Sequence, residues 1–396
     1  MSKNIVLLSD GTGNSSKALF KTNVWRLFQI LDLRDPRKQV AFYDDGVGTS
    51  SFKLFAVLGG IFGIGLKRNV IAIYSFCCRN YDPGDRIFCF GFSRGAFTAR
   101  IIAGMIASEG LVRYENNEAD LTRFAADAYR RYRRRFNGGI LKQLDRIGIN
   151  LRDLRDWAIR CWRRVTNLHA SATHIEIERI QFVGIWDTVD AYGGPIQETT
   201  RAIDYWVWPL SMPDHFMSAK VHRACHALAL EEERDAFTPV IWDERYVRGR
   251  DGKLHEIDTD WEPDVSEEWR GKLQPIDCQR LSQVWFVGVH SDIGGGYPQN
   301  GLSYVTLDWM MNRAEPYGLL YYPGQRQSQV TPQIDPTDKL NDSRQGLASY
   351  YRYKPRNVLD IYNAPSYKLS VRADACRMWR YLSKTPDPQS EILAEL

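Results

Sequence analysis

The sequence has no apolar run long enough to cross a membrane. Its longest uncharged stretch, Leu54 to Leu66, holds thirteen residues, whereas a spanning helix needs about twenty. The apolar stretch near the N-terminus, Ile5 to Leu8, is too short for the core of a signal peptide. We therefore expect a protein that is cytoplasmic as synthesised, with no signal peptide and no transmembrane helix.

Cysteine is scarce, and its spacing does not fit a metal site or a disulfide framework. The seven cysteines include the adjacent pair Cys77 and Cys78, and they show neither a C-x-x-C motif nor Cys/His metal spacing. They fit small core residues in a reducing compartment. We expect no metal and no cofactor.

Neither sign of charge dominates the chain. The net charge is +4 over 396 residues, and 25% of the residues are charged, which excludes a disordered chain and gives no reason to expect a nucleic-acid partner. Because 44% of the residues are hydrophobic, the chain can bury a large core. We expect a single domain over residues 1–396.

Short apolar runs alternate with helix-like segments. The runs that fit buried strands are Ile5 to Leu8, Gln39 to Tyr43, Ile87 to Phe90, Ile180 to Trp186 and Val284 to Val289. The segments that fit helices are Asn69 to Arg79, Ala96 to Ile106 and Leu302 to Ala314. This alternation predicts an α/β fold with a mainly parallel central sheet flanked by helices.

A G-x-S-x-G motif follows the third of these strands. Gly91 and Gly95 flank Ser93, and small residues then open a helix. In a nucleophile elbow the serine sits on a strained turn from strand to helix, and the glycines let the two elements approach closely. The alternative is a glycine-rich turn whose serine only caps the helix. The elbow makes the predicted fold α/β-hydrolase-like.

Three chemically suited residues follow three apolar strands in the order Ser93, Asp187, His290. The α/β-hydrolases have their triad in the order Ser, Asp or Glu, His, and sites lie beyond the carboxyl ends of parallel strands. Ser93 would attack, His290 would move the proton, and Asp187 would orient the imidazole. Asp190 and Asp292 are alternatives for the acid, but Asp187 directly ends its strand.

The loop after the first strand, which begins Asp10-Gly11-Thr12, is the nearest glycine-rich strand end. We expect the oxyanion hole to combine the backbone N–H of Arg94 with that of Gly11 or Thr12, and Asp10 to line the site. The same loop fits the second half of a D-x-D-G-T phosphatase motif. That alternative is weak, since Leu8 stands where the phosphatase nucleophile would be.

Several segments between these elements fit a cap over the site. We expect an arginine-rich helical insertion at about 111–175, a lid-like aromatic segment at about 195–220 and a C-terminal tail at about 332–396 that wraps the core. The run Arg130 to Arg135 is either a solvated helix face or an attraction for anionic headgroups. Tyr205 to Leu210 fits an acyl-chain wall or an ordinary loop. Leu54 to Leu66, whose four glycines argue against a regular helix, fits the core or an apolar flap.

Val221 to Arg234 is predicted to be helical, with His222 and His226 one turn apart. The i, i+4 spacing could bind a metal. No third ligand follows, so we interpret His226 as structural.

Seven motifs together resemble the bacterial α/β-hydrolase family known as domain of unknown function 2235, whose best-understood branch is the first class of type VI secretion lipase effectors. The motifs are Asp10-Gly-Thr-Gly-Asn14, Gly46-Val-Gly-Thr49, Tyr81-Asp-Pro-Gly-Asp85, Gly91-Phe-Ser-Arg-Gly-Ala-Phe-Thr-Ala-Arg100, Trp186-Asp-Thr-Val189, His226-Ala-Leu-Ala-Leu230 and His290-Ser-Asp-Ile-Gly-Gly-Gly-Tyr297. The resemblance covers roughly residues 4 to 315. It implies that Ser93, Asp187 and His290 form the triad.

The resemblance also implies phospholipase A-type hydrolysis of a phospholipid or related acyl ester. A secretion-system or immunity partner, and delivery by a type VI system, are further implications. Action on bilayer lipids, with the apolar and arginine-rich segments named above, predicts peripheral membrane contact. A second hypothesis from another class is a binding or sensing module that keeps the hydrolase fold without turnover, or a cytoplasmic partner of a secretion or defence system. The complete set of triad residues argues against it.

Overall fold

The structure is a computed structural model. It describes residues 2–11, 20–46, 60–135, 173–189, 214–249, 251–258, 261–345 and 351–363, and the account below concerns these residues.

Six parallel strands form the central sheet. They are β1 (Asn4–Ser9), β2 (Gln39–Asp44), β3 (Arg86–Phe92), β6 (Ile180–Trp186), β8 (Val221–Ala229) and β11 (Leu281–Phe286). Their order across the sheet is β11-β8-β6-β3-β1-β2, and each neighbouring pair runs parallel. The predicted α/β fold with a mainly parallel central sheet is confirmed.

Helices cover both faces of this sheet, and the alternation along β1 shows how. Ile5 and Leu7 belong to the hydrophobic core on one face, and Val6 and Leu8 belong to the core on the other. Side chains of a strand point alternately to its two faces, so a strand that is buried on both is apolar throughout. This explains why the strands of this chain can be recognised as continuous apolar runs.

The helices divide between the two faces. The main helices are α1 (Asn23–Ile30), α2 (Gly60–Asn80), α3 (Arg94–Glu109), α4 (Glu118–Arg135) and α7 (Gly301–Ala314). The first core contains residues of α2, α3 and α4, and the second contains residues of α1 and α7. Short helices are α5 (Glu267–Arg270), α6 (His290–Gly294) and α8 (Val358–Asn363).

Two small sheets lie beside the central one. Their strands are β4 (Leu111–Val112), β5 (His174–Ile175), β7 (Met217–Ser218), β9 (Tyr246–Arg248) and β10 (Leu254–Glu256). The β4–β5 pair is antiparallel and joins the two ends of the predicted insertion. The extent of the domain, the insertion, the lid and the wrapping tail stays a prediction. Residues 136–172 and the aromatic segment Tyr205 to Leu210 lie outside the described residues.

The prediction of a helix over Val221 to Arg234 is wrong. This stretch contains β8, a central strand that pairs with β6 on one side and β11 on the other. Alanine and leucine are good helix formers, but intrinsic propensity differs by less than about 1 kcal/mol per residue, and burial between two strands outweighs it. Residues four apart on a strand lie about 13 Å apart, so His222 and His226 cannot share a metal ion.

Helix α2 corrects a second expectation. It begins at Gly60, so the glycines of this stretch do not prevent a regular helix over its second half. Leu66 is buried in the core, whereas residues 54–59 lie outside the described residues. Where the chain is described, no helix is both long and apolar enough to span a bilayer.

The arginine-rich end of α4 lies far from Ser93. Arg131 and Arg135 form ion pairs at 2.9 and 2.8 Å with Glu109, the last residue of α3. Ser93 stands immediately before the first residue of the same helix, and 16 helical residues span about 24 Å. Arg131 and Arg135 therefore lie at the opposite end of α3 from Ser93.

Candidate active site

The strand order reverses direction between β1 and β3. From β1 the chain goes to β2 on one side, and from β2 it crosses to β3 on the other side of β1. In such sheets the ligand site lies outside the carboxyl ends of the strands at this switch point. β3 ends at the candidate serine, while β6, β8 and β11 lie next to β3 in that order and contribute the following loops.

Ser93 occupies the turn between β3 and α3 in a strained conformation. Its φ is +59°, a region that a residue with a side chain rarely adopts unless its surroundings enforce it. The Ser93 N–H donates to the Trp186 carbonyl at 3.0 Å. A Cβ on Gly91 would lie 2.7 Å from the Ala96 nitrogen, and one on Gly95 would lie 2.6 Å from the Asp10 carbonyl. The two glycines thus permit the close approach that the elbow requires.

His290 is the first residue of α6 and joins the other two candidate residues. Its Nε2 lies 2.8 Å from Ser93 Oγ, and its Nδ1 lies 2.5 Å from Asp187 Oδ2. The rings of Phe92 and Phe237 lie 4.6 and 4.8 Å from the imidazole, measured between centroids. These contacts leave the imidazole few alternative orientations. The strand before it is displaced from its predicted position, since β11 ends at Phe286.

Asp187 follows β6 directly, as predicted, and is fully buried. Its own N–H donates to the Ala227 carbonyl at 2.7 Å, and its Oδ1 accepts the Ala229 N–H at 3.0 Å. Both partners belong to β8, so the neighbouring strand fixes the backbone and the side chain of Asp187. The φ of Asp187 is +38°, which makes it a second strained residue in the site.

The surroundings of these groups set their charge. Burial alone would raise the pKa of the Asp187 carboxyl, but the Arg356 guanidinium and His290 hold it well below its ordinary value. Burial lowers the pKa of His290 from 6.5, and this effect outweighs its hydrogen bond to Asp187. At neutral pH the site therefore contains an ionised aspartate and a neutral imidazole. This is the charge state that a base acting on a serine hydroxyl needs.

A comparison with protein families places this site in context. The family model described as "T6SS, Phospholipase effector Tle1-like, catalytic domain" matches residues 3–313, well over half of the chain. The chain belongs to this Tle1-like family.

A yeast protein is similar to this Tle1-like chain over much of its length. It is the uncharacterized protein YEL023C of Saccharomyces cerevisiae, which is 23% identical over 401 residues. The match covers 81% of this chain and 58% of the yeast protein. The Tle1-like chain thus spans little more than half the length of that relative.

Three solved structures are similar to the Tle1-like chain at low sequence identity. The Tle1 effector bound to the VgrG spike is 14% identical with a TM-score of 0.43, covering 92% of this chain and 84% of that one. An uncharacterized Pseudomonas aeruginosa protein has 16% identity, a TM-score of 0.42 and coverages of 84% and 48%. Esterase 2 of Thermogutta terrifontis has 11% identity, a TM-score of 0.38 and coverages of 81% and 85%. The fold assignment rests on the strand order of the central sheet.

Asp292, one of the alternatives to Asp187, has other partners in the Tle1-like chain. Asp292 accepts the Val289 N–H at 3.1 Å and the Asn341 side-chain amide at 2.6 Å. It thus supports the turn before His290 and ties residue 341 to it. Asp190 lies outside the described residues.

The first loop has a different internal arrangement from the one predicted. Asp10 accepts hydrogen bonds from the hydroxyls of Thr22 and Tyr43, at 2.5 and 2.6 Å, and burial raises the pKa of its carboxyl to about 7. It also accepts the Gly11 N–H at 2.6 Å. Gly11 would have to exchange this hydrogen bond for one to the substrate before it could act as an oxyanion donor. Thr12 lies outside the described residues, whereas Arg94 begins α3 as predicted.

The two histidines of β8 have structural contacts. His226 is fully buried, and its Nε2 accepts the Thr188 N–H at 3.2 Å next to Asp187. Burial lowers the pKa of His226 to about 3, so it stays neutral. His222 Nε2 accepts the Asp264 N–H at 3.1 Å. Among the described ranges, no group of side chains is arranged to hold a metal ion.

Sequence reasoning missed two residues of the Tle1-like site. Glu232, in the loop after β8, accepts the backbone N–H of His290 at 3.1 Å. Arg356, in the C-terminal tail, binds both oxygens of Asp187. Neither lies in a motif or directly after an apolar strand, so no local pattern marks them. A buried carboxylate such as Asp187 requires a charged or hydrogen-bonding partner. That requirement could have indicated that a cation contacts Asp187, although not which one.

Proposed function

We propose that this chain hydrolyses carboxylic esters through an acyl-enzyme, with Ser93 as the nucleophile, His290 as the base and Asp187 as the acid of the triad. The observation that carries the proposal is the continuous path from Ser93 Oγ through both nitrogens of His290 to Asp187 Oδ2, with distances of 2.8 and 2.5 Å. Asp292, the alternative to Asp187 as the acid, accepts hydrogen bonds from Val289 and Asn341 instead. The family's description as phospholipase effectors supports an ester substrate.

The reaction follows from this geometry. Ser93 Oγ attacks the ester carbonyl carbon while its proton passes to His290 Nε2, and the carbonyl oxygen becomes an oxyanion. Collapse of this intermediate breaks the bond to the alcohol, which leaves with the proton from Nε2. Water then attacks the acyl group, giving up a proton to Nε2 in the same way, and the acid and free Ser93 result. Asp187 stabilises the imidazolium in both halves.

The start of α3 is the nearest source of oxyanion donors. Backbone N–H groups in the first turn of a helix lack intrahelical acceptors, and the helix dipole favours negative charge there. Arg94 is the first residue of that turn. We assign its N–H to the oxyanion, in line with hydrolases whose first donor is the residue after the nucleophile.

The substrate class extends this proposal. Phospholipid, cleaved in the manner of a phospholipase A, is the acyl ester that the family description favours. Peripheral membrane contact, delivery by a type VI system, and a secretion-system or immunity partner belong to the same proposal. Each depends on the family's description rather than on the geometry of the site.

Ser93→Ala tests the proposal. We expect it to lower turnover of both phospholipid vesicles and a soluble short-chain ester by several orders of magnitude while the protein stays folded. Ser108→Ala, at the far end of the same helix, is the matched control and should retain activity. A fluorophosphonate probe should label the wild-type chain at Ser93 and leave the Ala variant unlabelled. A wild-type chain that is neither labelled nor active would instead favour the non-catalytic binding module.

A further inference from the structure

The described part of the C-terminal tail beyond residue 350, residues 351–363, lies along the loop that follows β8; we call it the strap. Three backbone hydrogen bonds join them: Lys354 N–H to the Glu233 carbonyl at 2.7 Å, Arg356 N–H to the Glu232 carbonyl at 3.1 Å, and Asp235 N–H to the Arg352 carbonyl at 3.0 Å. The strap is thus held by main-chain contacts next to the loop that also contacts His290.

An apolar residue anchors the strap beyond this point. Val358 is buried and forms a small hydrophobic cluster with Leu228 of β8 and Ile241. Between the backbone pairing and this cluster the chain directs one side chain inward. That side chain is Arg356, which is 3% exposed.

The guanidinium of Arg356 makes four short hydrogen bonds. One terminal nitrogen donates to Asp187 Oδ1 and to the Ala229 carbonyl, both at 2.6 Å. The other donates to Asp187 Oδ2 at 2.8 Å and to the Phe237 carbonyl at 2.6 Å. The planar guanidinium and the carboxylate therefore face each other in the two-point geometry that only arginine provides.

We propose that Arg356 is a positioning residue of the site, which holds the Asp187 carboxylate ionised and in the orientation that His290 Nδ1 requires. This inference depends on the proposed esterase function. It also makes the site dependent on a segment almost 170 positions after the acid in the sequence.

Removing Arg356 would affect Asp187 in two ways. Asp187 Oδ1 would keep the Ala229 N–H and Oδ2 would keep His290, so the carboxylate could rotate about its remaining contacts. A buried carboxylate that loses its cation also becomes harder to keep ionised. Either change weakens its control of the His290 tautomer, on which proton transfer from Ser93 depends.

Arg356 also affects the charge felt by His290. The charged groups that face the imidazole are Asp187 from the end of β6 and Glu232 and Arg234 from the loop after β8. The guanidinium of Arg356, in the strap, offsets the negative charge of Asp187. Without the positive charge of Arg356, the coupled pair of Asp187 and His290 would take up a proton at higher pH, so the acid limb of the activity profile would move to higher pH. If Arg356 only anchored the strap, replacing it would leave the pH of the acid limb unchanged.

The test measures hydrolysis of a soluble short-chain ester by Arg356→Gln, by Asp187→Asn and by the double variant. We expect Arg356→Gln to lower kcat by roughly 10- to 100-fold, as for other residues that orient a functional group from behind, with KM unchanged within about twofold because the guanidinium is buried. Asp187→Asn should cost about 10⁴-fold. Adding Arg356→Gln to Asp187→Asn should cost less than about twofold more, since two residues that act through one contact are not additive.

Two further variants separate positioning from folding. Arg356→Lys keeps the charge without the two-point geometry and should recover part of the lost activity. Lys354→Gln removes the same charge from the strap, where Lys354 pairs with Asp235 at 3.2 Å and is 65% exposed; it should leave kcat and the acid limb unchanged. If Arg356→Gln does not fold, the charge-neutral double variant and Arg356→Lys still provide the comparison.

The inference is overturned if Arg356→Gln keeps the wild-type kcat and acid limb, or if it costs as much in the Asp187→Asn background as in the wild type. Labelling of the wild-type chain by a fluorophosphonate distinguishes this outcome from failure of the esterase proposal. A labelled wild type with a fully active Arg356→Gln variant refutes the role of Arg356 alone.

Discussion

His290 combines a polar function with an apolar setting. Two phenylalanine rings lie on its sides, and its side chain is nearly inaccessible to solvent. Such burial costs a charged group more solvation free energy than a neutral one. The imidazole is therefore kept neutral until the reaction supplies its proton, and Asp187 then offsets the cost of the imidazolium.

This setting predicts the pH dependence of the reaction. A base must be neutral to accept the Ser93 proton, and burial places the pKa of His290 below 6.5. We expect kcat/KM for a soluble ester to be level near pH 8 and to fall in acid with a midpoint below pH 6.5, which is the ordinary pKa of His290. Asp187 stays ionised throughout because Arg356 holds its pKa well below its ordinary value.

The profile should be recorded together with tryptophan fluorescence, so that acid unfolding is not taken for protonation of the base. A single acid limb with its midpoint below pH 6.5 is the expected result. A midpoint above 6.5 in a folded protein would contradict the assignment of a buried His290 as the base.

At this scale the sequence predicted the groups that end a strand and missed those that do not. Ser93 and Asp187 stand directly after apolar runs, and His290 follows the last one closely, so strand order alone brought them together. Arg356 reaches Asp187 from a segment without periodicity. Only three-dimensional packing places its guanidinium there, and no local pattern in the sequence encodes that packing.

The elbow shows how two elements are brought within backbone contact. Gly95, in the first turn of α3, faces the end of β1, where an added Cβ would lie 2.6 Å from both the carbonyl carbon and the oxygen of Asp10. Backbone atoms cannot rotate away as a flexible side chain would. The close approach of α3 to β1 therefore requires a residue without a side chain at position 95.

Gly95→Ala should lower the free energy of unfolding by about 1–3 kcal/mol, as expected for overpacking in a rigid setting, and should lower activity because α3 begins at Arg94. The measurement is urea unfolding followed by fluorescence, together with the ester assay. Gly271→Ala is the control, since no atom lies within 4 Å of its added Cβ, and it should shift stability by less than about 0.5 kcal/mol. Equal midpoints for both variants would show that α3 can move away from β1.

At the scale of elements, five of the six strands of the central sheet and helices α2, α3 and α7 could be predicted, because apolar runs and small-residue helices have distinct patterns. Strand β8 was the exception. Its alanines and its histidines at i, i+4 fit a helix locally, and only the demand for a strand between β6 and β11 decides otherwise. Arg223 is buried in it and donates to the Ile276 carbonyl at 3.1 Å. Such a partner comes from a distant part of the chain.

At the scale of the whole molecule, the length of α3 separates the site from the arginine-rich end of α4. The site lies at the carboxyl ends of the strands, and α3 runs from it to the opposite end, where Glu109 binds Arg131 and Arg135. Glu109 is 5% exposed on its side chain, whereas the two arginines are about half exposed. Their first role in this arrangement is to compensate a nearly buried carboxylate and to fasten α4 to α3.

This placement predicts how charge reversal will act. Arg131→Glu combined with Arg135→Glu should destabilise the protein, by about 1 kcal/mol or somewhat more, because partly exposed ion pairs contribute little but reversal adds repulsion at Glu109. Rates on anionic vesicles and on a soluble ester should change by the same factor, since the reversed charges lie about 24 Å along α3 from Ser93. Arg34→Glu combined with Arg37→Glu, at two exposed arginines paired with Asp32 and Asp35, makes the same change in net charge and is the control. A selective loss on anionic vesicles, reproduced for the wild type by high salt, would instead show that this end of the molecule contacts the bilayer.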